Sequence, residues 1–181
     1  MTFFLSGGAK CGKSGLAQRI ALSLAGDGPR YYVATLIPTG AEDQERIRLH
    51  LEDRAGMGFQ TVECFTDVMD CLRYADPRGT FLVDSVTSLI QNALFPAERN
   101  YEMDPEGAMR CADSLVQFAR TVDNAVFVSD YIYAEPVQYS ASTEEYRKIL
   151  AAVDRRLAGL CDTVIEMTAG QPTIHKGELK L

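Results

Sequence analysis

The chain has 181 residues, 46% of them hydrophobic, 14 glycines and a formal net charge of −7. That is material for one substantial core and hardly for two, so a single domain over residues 1–181 is expected. The acidic balance argues against non-specific adhesion to nucleic acid or anionic lipid, and directs attention to small molecules and other protein subunits as partners.

The opening MTFFLSGG lacks a basic start and a long apolar run, and no segment reaches the roughly 20 apolar residues that span a bilayer. A cytoplasmic protein with no membrane insertion is therefore expected. Cys11, Cys64, Cys71, Cys111 and Cys161 are odd in number and lack metal-ligand spacing, which fits reduced thiols.

Along the chain, Thr2 to Leu5 reads as a strand and Gly7 to Gly12 as a glycine-rich turn. Ser14 then opens a helix marked by Leu16, Ala17, Ile20, Ala21 and Leu24, which ends at Gly26. Tyr31 to Thr35 is a second strand, and Ala41 to about Arg54 a charged, exposed helix with a narrow apolar edge at Ile47 and Leu51. Phe59 to Phe65 reads as a strand, Asp67 to Tyr74 as a short helix, and Phe81 to Asp84 as a buried strand with a carboxylate at its tip.

Ser88 to Phe95 continues as helix and Pro96 to Asp104 is irregular. Pro105 suits the first turn of the next helix, with Asp104 as its cap and Met109, Leu115, Phe118 and Val122 along it. Ala125 to Ser129 is a buried strand, and Asp130 to Ala141 a tyrosine-rich loop facing a substrate. Ser142 and Glu145 have capping-box spacing ahead of a helix carrying Tyr146, Ile149, Leu150, Val153, Leu157 and Leu160. Thr163 to Thr168 and Thr173 to Lys176 are the last strands. Alternating strands and helices predict a mostly parallel sheet covered on both faces.

Gly7, Gly8, Ala9, Lys10, Cys11, Gly12, Lys13 and Ser14 satisfy the G-x-x-x-x-G-K-[ST] pattern between a predicted strand and a predicted helix. Such a loop turns backbone N–H groups toward phosphates, and the following helix start adds partial positive charge. Lys13 would reach the β and γ phosphates and Ser14 would offer its hydroxyl to Mg2+. Asp84 fits a strand cap as well as a metal-side acid, and the preceding loop tips the reading to the acid. The expected fold is an α/β P-loop NTPase, a RecA-like three-layer sandwich binding a nucleoside triphosphate.

His50 has Arg46 four residues before it and Arg54 four residues after it, so a helix would gather all three on one face. Two cationic neighbours favour the neutral imidazole that a nucleophile attacking phosphorus needs. Spacing alone also fits a surface histidine among charged neighbours.

The chain resembles the bifunctional adenosylcobinamide kinase/adenosylcobinamide-phosphate guanylyltransferase family of cobalamin biosynthesis. The likeness runs from the GGAKCGKS loop through Tyr32 to Thr35, Arg46 to His50 with Arg54, and Phe59 to Glu63. It continues over Leu82 to Thr87, Asn92 to Phe95, Val126 to Ser129, Tyr146-Arg147, Asp154 to Ala158 and Gly170 to Lys176. The resemblance implies transfer of a terminal phosphate from ATP or GTP to the hydroxyl of a corrinoid acceptor, adenosylcobinamide. It also implies transfer of GMP from GTP through a guanylylated His50. It implies that Ala34, Thr35, Leu36, Leu51, Arg54, Glu63 and Asp84 line the nucleotide site, that Mg2+ is used, and that the protein is a homotrimer.

The chain departs from the family's pattern in having Asp130 and Tyr131 where an Asn-Glu pair is usual. It also has Lys148 in place of aspartate, Ala151 in place of glycine and Asp154 in place of asparagine. Two further readings therefore stand beside the first: a P-loop small-molecule kinase with a changed acceptor, and a non-catalytic nucleotide-binding paralogue.

Overall fold

The computed structural model describes residues 1–134 and 136–180. Its centre is a seven-stranded sheet of order β3-β2-β4-β5-β1-β6-β7. The strands are β1 (Thr2–Gly7), β2 (Arg30–Ala34), β3 (Gln60–Glu63), β4 (Thr80–Asp84), β5 (Asn124–Asp130), β6 (Thr163–Thr168) and β7 (Gln171–Lys176). All neighbours run parallel except β6 and β7, which form an antiparallel hairpin across Ala169 and Gly170. The longer helices are α1 (Lys13–Ala25), α2 (Ala41–Asp53), α3 (Val86–Leu94), α4 (Pro105–Thr121) and α5 (Ala141–Leu160).

Alternation along the strands splits the core in two. Phe3, Leu5, Leu82, Val126, Val128 and Ile165 pack under Leu16, Ala17, Ile20 and Ala21 of α1. On the opposite face Phe4, Val33, Phe81, Val83 and Phe127 meet α3, α4 and α5. Phe118 of α4 lies edge-on to both Phe81 and Phe127, an arrangement favoured by the ring quadrupoles. Helices thus cover both faces as the alternation predicts, one on the first face and three on the second.

Asp104 caps α4 by accepting from the Gly107 N–H at 3.0 Å, with Pro105 in the first turn, as expected. Several details differ from the sequence reading. The cap of α5 is Ser140, whose hydroxyl accepts from the Thr143 N–H at 3.3 Å, rather than Ser142. Glu144, not Glu145, reaches back, accepting from the Tyr139 N–H at 3.0 Å and so fixing the earlier start. Met109 is 48% exposed: it lies off the stripe formed by Cys111, Leu115 and Phe118. The region 67–74 is a 3-10 helix over Val68–Arg73, and α3 starts at Val86 because Ser85 caps it through the Ser88 N–H.

The loop after β5 contains a 3-10 turn at Ile132–Ala134. Arg147 of α5, buried, donates to the carbonyls of Tyr133 and Val137 and so fastens that loop to the helix. Among the described residues no helix is long and apolar enough to cross a membrane.

Candidate active site

The pairing register brings the carboxyl ends of the parallel strands level. Gly7 pairs with Asp130, Ala34 with both Glu63 and Asp84, and Asp84 with Val128. Ligands of open parallel sheets bind beyond these ends, and the two cavities described next open there.

The turn from β1 into α1 is the glycine loop. Gly12 has φ of 94°, a left-handed conformation that opens the first turn of α1 toward the cavity. A Cβ at Gly7 would lie 2.5 Å from the Met167 carbonyl oxygen, so only glycine lets β1 run so close to β6. Lys13 is folded back and buried, donating to the carbonyls of Gly7 at 3.0 Å and Gly8 at 2.7 Å. Its ammonium also pairs with Asp130 at 2.6 Å. Ala9, Lys10, Cys11, Gly12, Lys13 and Ser14 line a cavity of about 470 Å3 together with Arg46, His50, Asp84 and Asp130. Gly7 and Gly8 are not among its lining residues, and their carbonyls accept from Lys13.

A second cavity of about 160 Å3 lies between α2 and the ends of β2, β3 and β4. Ala34, Thr35, Leu36, Leu51, Arg54, Glu63 and Asp84, the residues expected from the resemblance, all line it, with Arg46 and His50. The one-face arrangement of Arg46, His50 and Arg54 is therefore met. Leu51 is half exposed and lines the cavity from its rim. His50 and Asp84 line both cavities.

The walls of the second cavity are cross-braced. The Arg54 guanidinium lies 3.4 Å from the centroid of the Tyr32 ring, and the Tyr32 hydroxyl donates to Asp84 at 3.1 Å. Burial, and then the Asp84 charge, push the Tyr32 phenol well above its ordinary range, so it stays a donor to that carboxylate. Thr35 donates to the Ser85 carbonyl at 2.8 Å and accepts from the Ser85 N–H at 2.7 Å across the cis Asp84–Ser85 peptide. Asn92 donates to the carbonyls of Thr35 and Phe65. Among the described residues His50 Nδ1 and Arg54 Nη1 are buried without a hydrogen-bond partner. Buried polar groups are rarely left unpaired, so these two atoms mark where a ligand's polar groups fit.

Ser14 and Asp84 both face the loop cavity. One hydroxyl and one carboxylate beside a phosphate loop suit Mg2+, which takes its remaining ligands from phosphate and water.

One group escaped the sequence reading as a site element. Asp154 of α5 is buried, accepting from Ser129 at 2.9 Å and from the Tyr133 hydroxyl at 3.0 Å. Burial pushes its carboxyl up to about 7, opposed by these donors and helped by neighbouring Asp130. Its place on the inward face of α5, beside Leu150, Val153 and Leu157, was the available signal.

A glycine loop folded around a buried lysine, with an acid-tipped strand two places along a parallel sheet, defines a P-loop-type nucleotide-binding α/β protein. The prototypical ATPase of a type III secretion system of pathogenic bacteria shares this fold at a TM-score of 0.53 and 14% identity. That alignment covers 92% of this chain, which spans only about half of the ATPase chain, 51%. The flagellar accessory protein FlaH from Methanocaldococcus jannaschii aligns at a TM-score of 0.46 and 13% identity, covering 97% of this chain and 78% of its own. No curated protein matches the sequence. The chain belongs to the cobinamide kinase / cobinamide phosphate guanyltransferase family, whose profile matches residues 3–174. In general terms it is a nucleotide-binding protein of the kinase and transferase kind.

Proposed function

We propose that this protein catalyses both reactions of its family: phosphorylation of adenosylcobinamide by ATP or GTP, and GMP transfer from GTP to the phosphorylated product through a guanylylated His50. The observation that carries the reading is His50 itself. It lines both cavities, stands between Arg46 and Arg54, and has a buried ring nitrogen without a partner among the described residues. In the guanylyl step a ring nitrogen attacks the α phosphorus of GTP and the bond to pyrophosphate breaks. The acceptor phosphate then displaces the imidazole and takes the GMP.

In the phosphoryl step the loop amides and Lys13 hold the triphosphate while the acceptor hydroxyl attacks the γ phosphorus. Ser14 and Asp84 would hold Mg2+, which offsets the charge of the phosphates when bound. Glu63, at the wall of the second cavity, offers a carboxylate to the donors of a nucleobase, and Ala34, Thr35, Leu36, Leu51 and Arg54 enclose it. The assembly is a homotrimer in this reading, which sedimentation velocity decides.

The test is the intact mass of the denatured protein after incubation with GTP and magnesium. A gain of one GMP unit is expected, and it disappears in His50→Ala. A second reading, a kinase with a changed acceptor, draws on Asp130 at the lysine and on Tyr131 in place of a carboxylate. Demonstrated GTP binding without any adduct would replace the first reading by the second.

A further inference from the structure

A third cavity, of about 560 Å3, is lined by Asp130 and by no residue of the glycine loop. Thr87, Ser88 and Gln91 give it hydroxyl and amide edges, and Leu36, Phe65 and Phe95 give it apolar walls. It shares Arg46 and Asp130 with the loop cavity. Asp130 thus stands where a phosphate in the loop and a molecule in the third cavity would meet.

The carboxylate is held in place by its backbone. The Asp130 N–H donates to the Thr87 hydroxyl at 2.7 Å, and the Thr87 carbonyl accepts from the Tyr146 hydroxyl at 3.0 Å. The next residue, Tyr131, donates its N–H to the Gly7 carbonyl at 3.3 Å, which fixes β5 to the loop strand. A side chain on so braced a strand end suits a catalytic role that demands fixed geometry.

Resting on the phosphoryl-transfer reading above, we propose that Asp130 is the general base for the acceptor hydroxyl, which enters from the third cavity. In the free protein the carboxylate neutralises Lys13. When a triphosphate fills the loop, Lys13 turns to its oxygens and Asp130 is left ionised and facing the acceptor. As the hydroxyl oxygen bonds to the γ phosphorus, its proton passes to the Asp130 carboxylate. The bond from the γ phosphorus to the bridging oxygen breaks, and the nucleoside diphosphate leaves with that electron pair on its own oxygen, the charge offset by Lys13. Asp130 then returns the proton to water. The position can carry a base because it is an aspartate, whereas the adjacent Tyr131 offers only a phenol.

The test compares wild type, Asp130→Asn and Asp130→Glu with magnesium and ATP or GTP. Phosphate transfer to cobinamide, and to water without it, is followed against pH, and nucleotide binding is titrated separately. General-base loss lowers transfer by about 100-fold or more. The expected result is that loss in Asp130→Asn, with GTP bound more tightly because Lys13 is released. Asp130→Glu should recover part of the rate. A rate in Asp130→Asn equal to or above wild type overturns the base and leaves a plug on the lysine, with the kinase reading intact. A wild type that transfers phosphate to neither cobinamide nor water overturns both. Melting by circular dichroism separates either outcome from misfolding.

Discussion

Asp154 gives the fold a pH-dependent stability. Its carboxyl titrates near 7 in the fold against 3.8 unperturbed, with burial as the main cause. Between those values the native state holds a proton that the unfolded chain has lost, so stability falls as pH rises through that window and is flat above it. Asp154→Asn removes the titration while keeping a partner for Ser129 and Tyr133. The variant should melt above wild type at pH 8, by an amount worth about 2–4 kcal/mol, and the gap should close toward pH 4. A melting difference that does not change with pH would refute this. The spacing of Asp154 from Leu150 and Leu157 shows its helical face but not that Ser129 meets it there. That partner belongs to β5, 25 residues away.

At the scale of elements, α2 stands apart. It buries no residue, whereas every other long helix contributes to the core. Its fixed points are exposed, solvent-screened ion pairs of Arg48 with Glu45 and Glu52 and a Thr39–Asp43 contact at its start. Yet it carries Arg46 and His50 into the site. Amide hydrogens of 41–53 should therefore exchange early in the free protein and slow on addition of GTP, while those of α1 and β5 change little. Equal protection of α2 with and without GTP would contradict that. The helix was legible from the four-residue spacing of Ile47 and Leu51, because a surface helix needs little more than its pattern. The cap of α5 was not, because Ser140 and Ser142 are both good caps and the choice lies with Glu144. Likewise β7 begins at Gln171, two residues before the sequence suggests, since Pro172 is tolerated on an edge strand.

For the whole molecule, the alternation of strands and helices announced the parallel sheet and its two covered faces, and the glycine loop announced the end at which the site lies. Neither discloses the order of the strands. The contact between Lys13 and Asp130 spans 117 positions and exists because β5 is inserted between β4 and β1. The third cavity depends on the same insertion, so it too was beyond the reach of periodicity. The cysteines divide by burial. Cys64, Cys71, Cys111 and Cys161 are buried, and Cys11 sits half-buried in the wall of the loop cavity. The native chain thus carries its own occupancy reporter. Brief treatment with a thiol-alkylating reagent should mark Cys11 ahead of the other four, and bound GTP should shield it. Phosphate-loop filling can then be read by peptide mass on the unmodified sequence, ahead of any knowledge of the acceptor; labelling indifferent to GTP would place the triphosphate elsewhere.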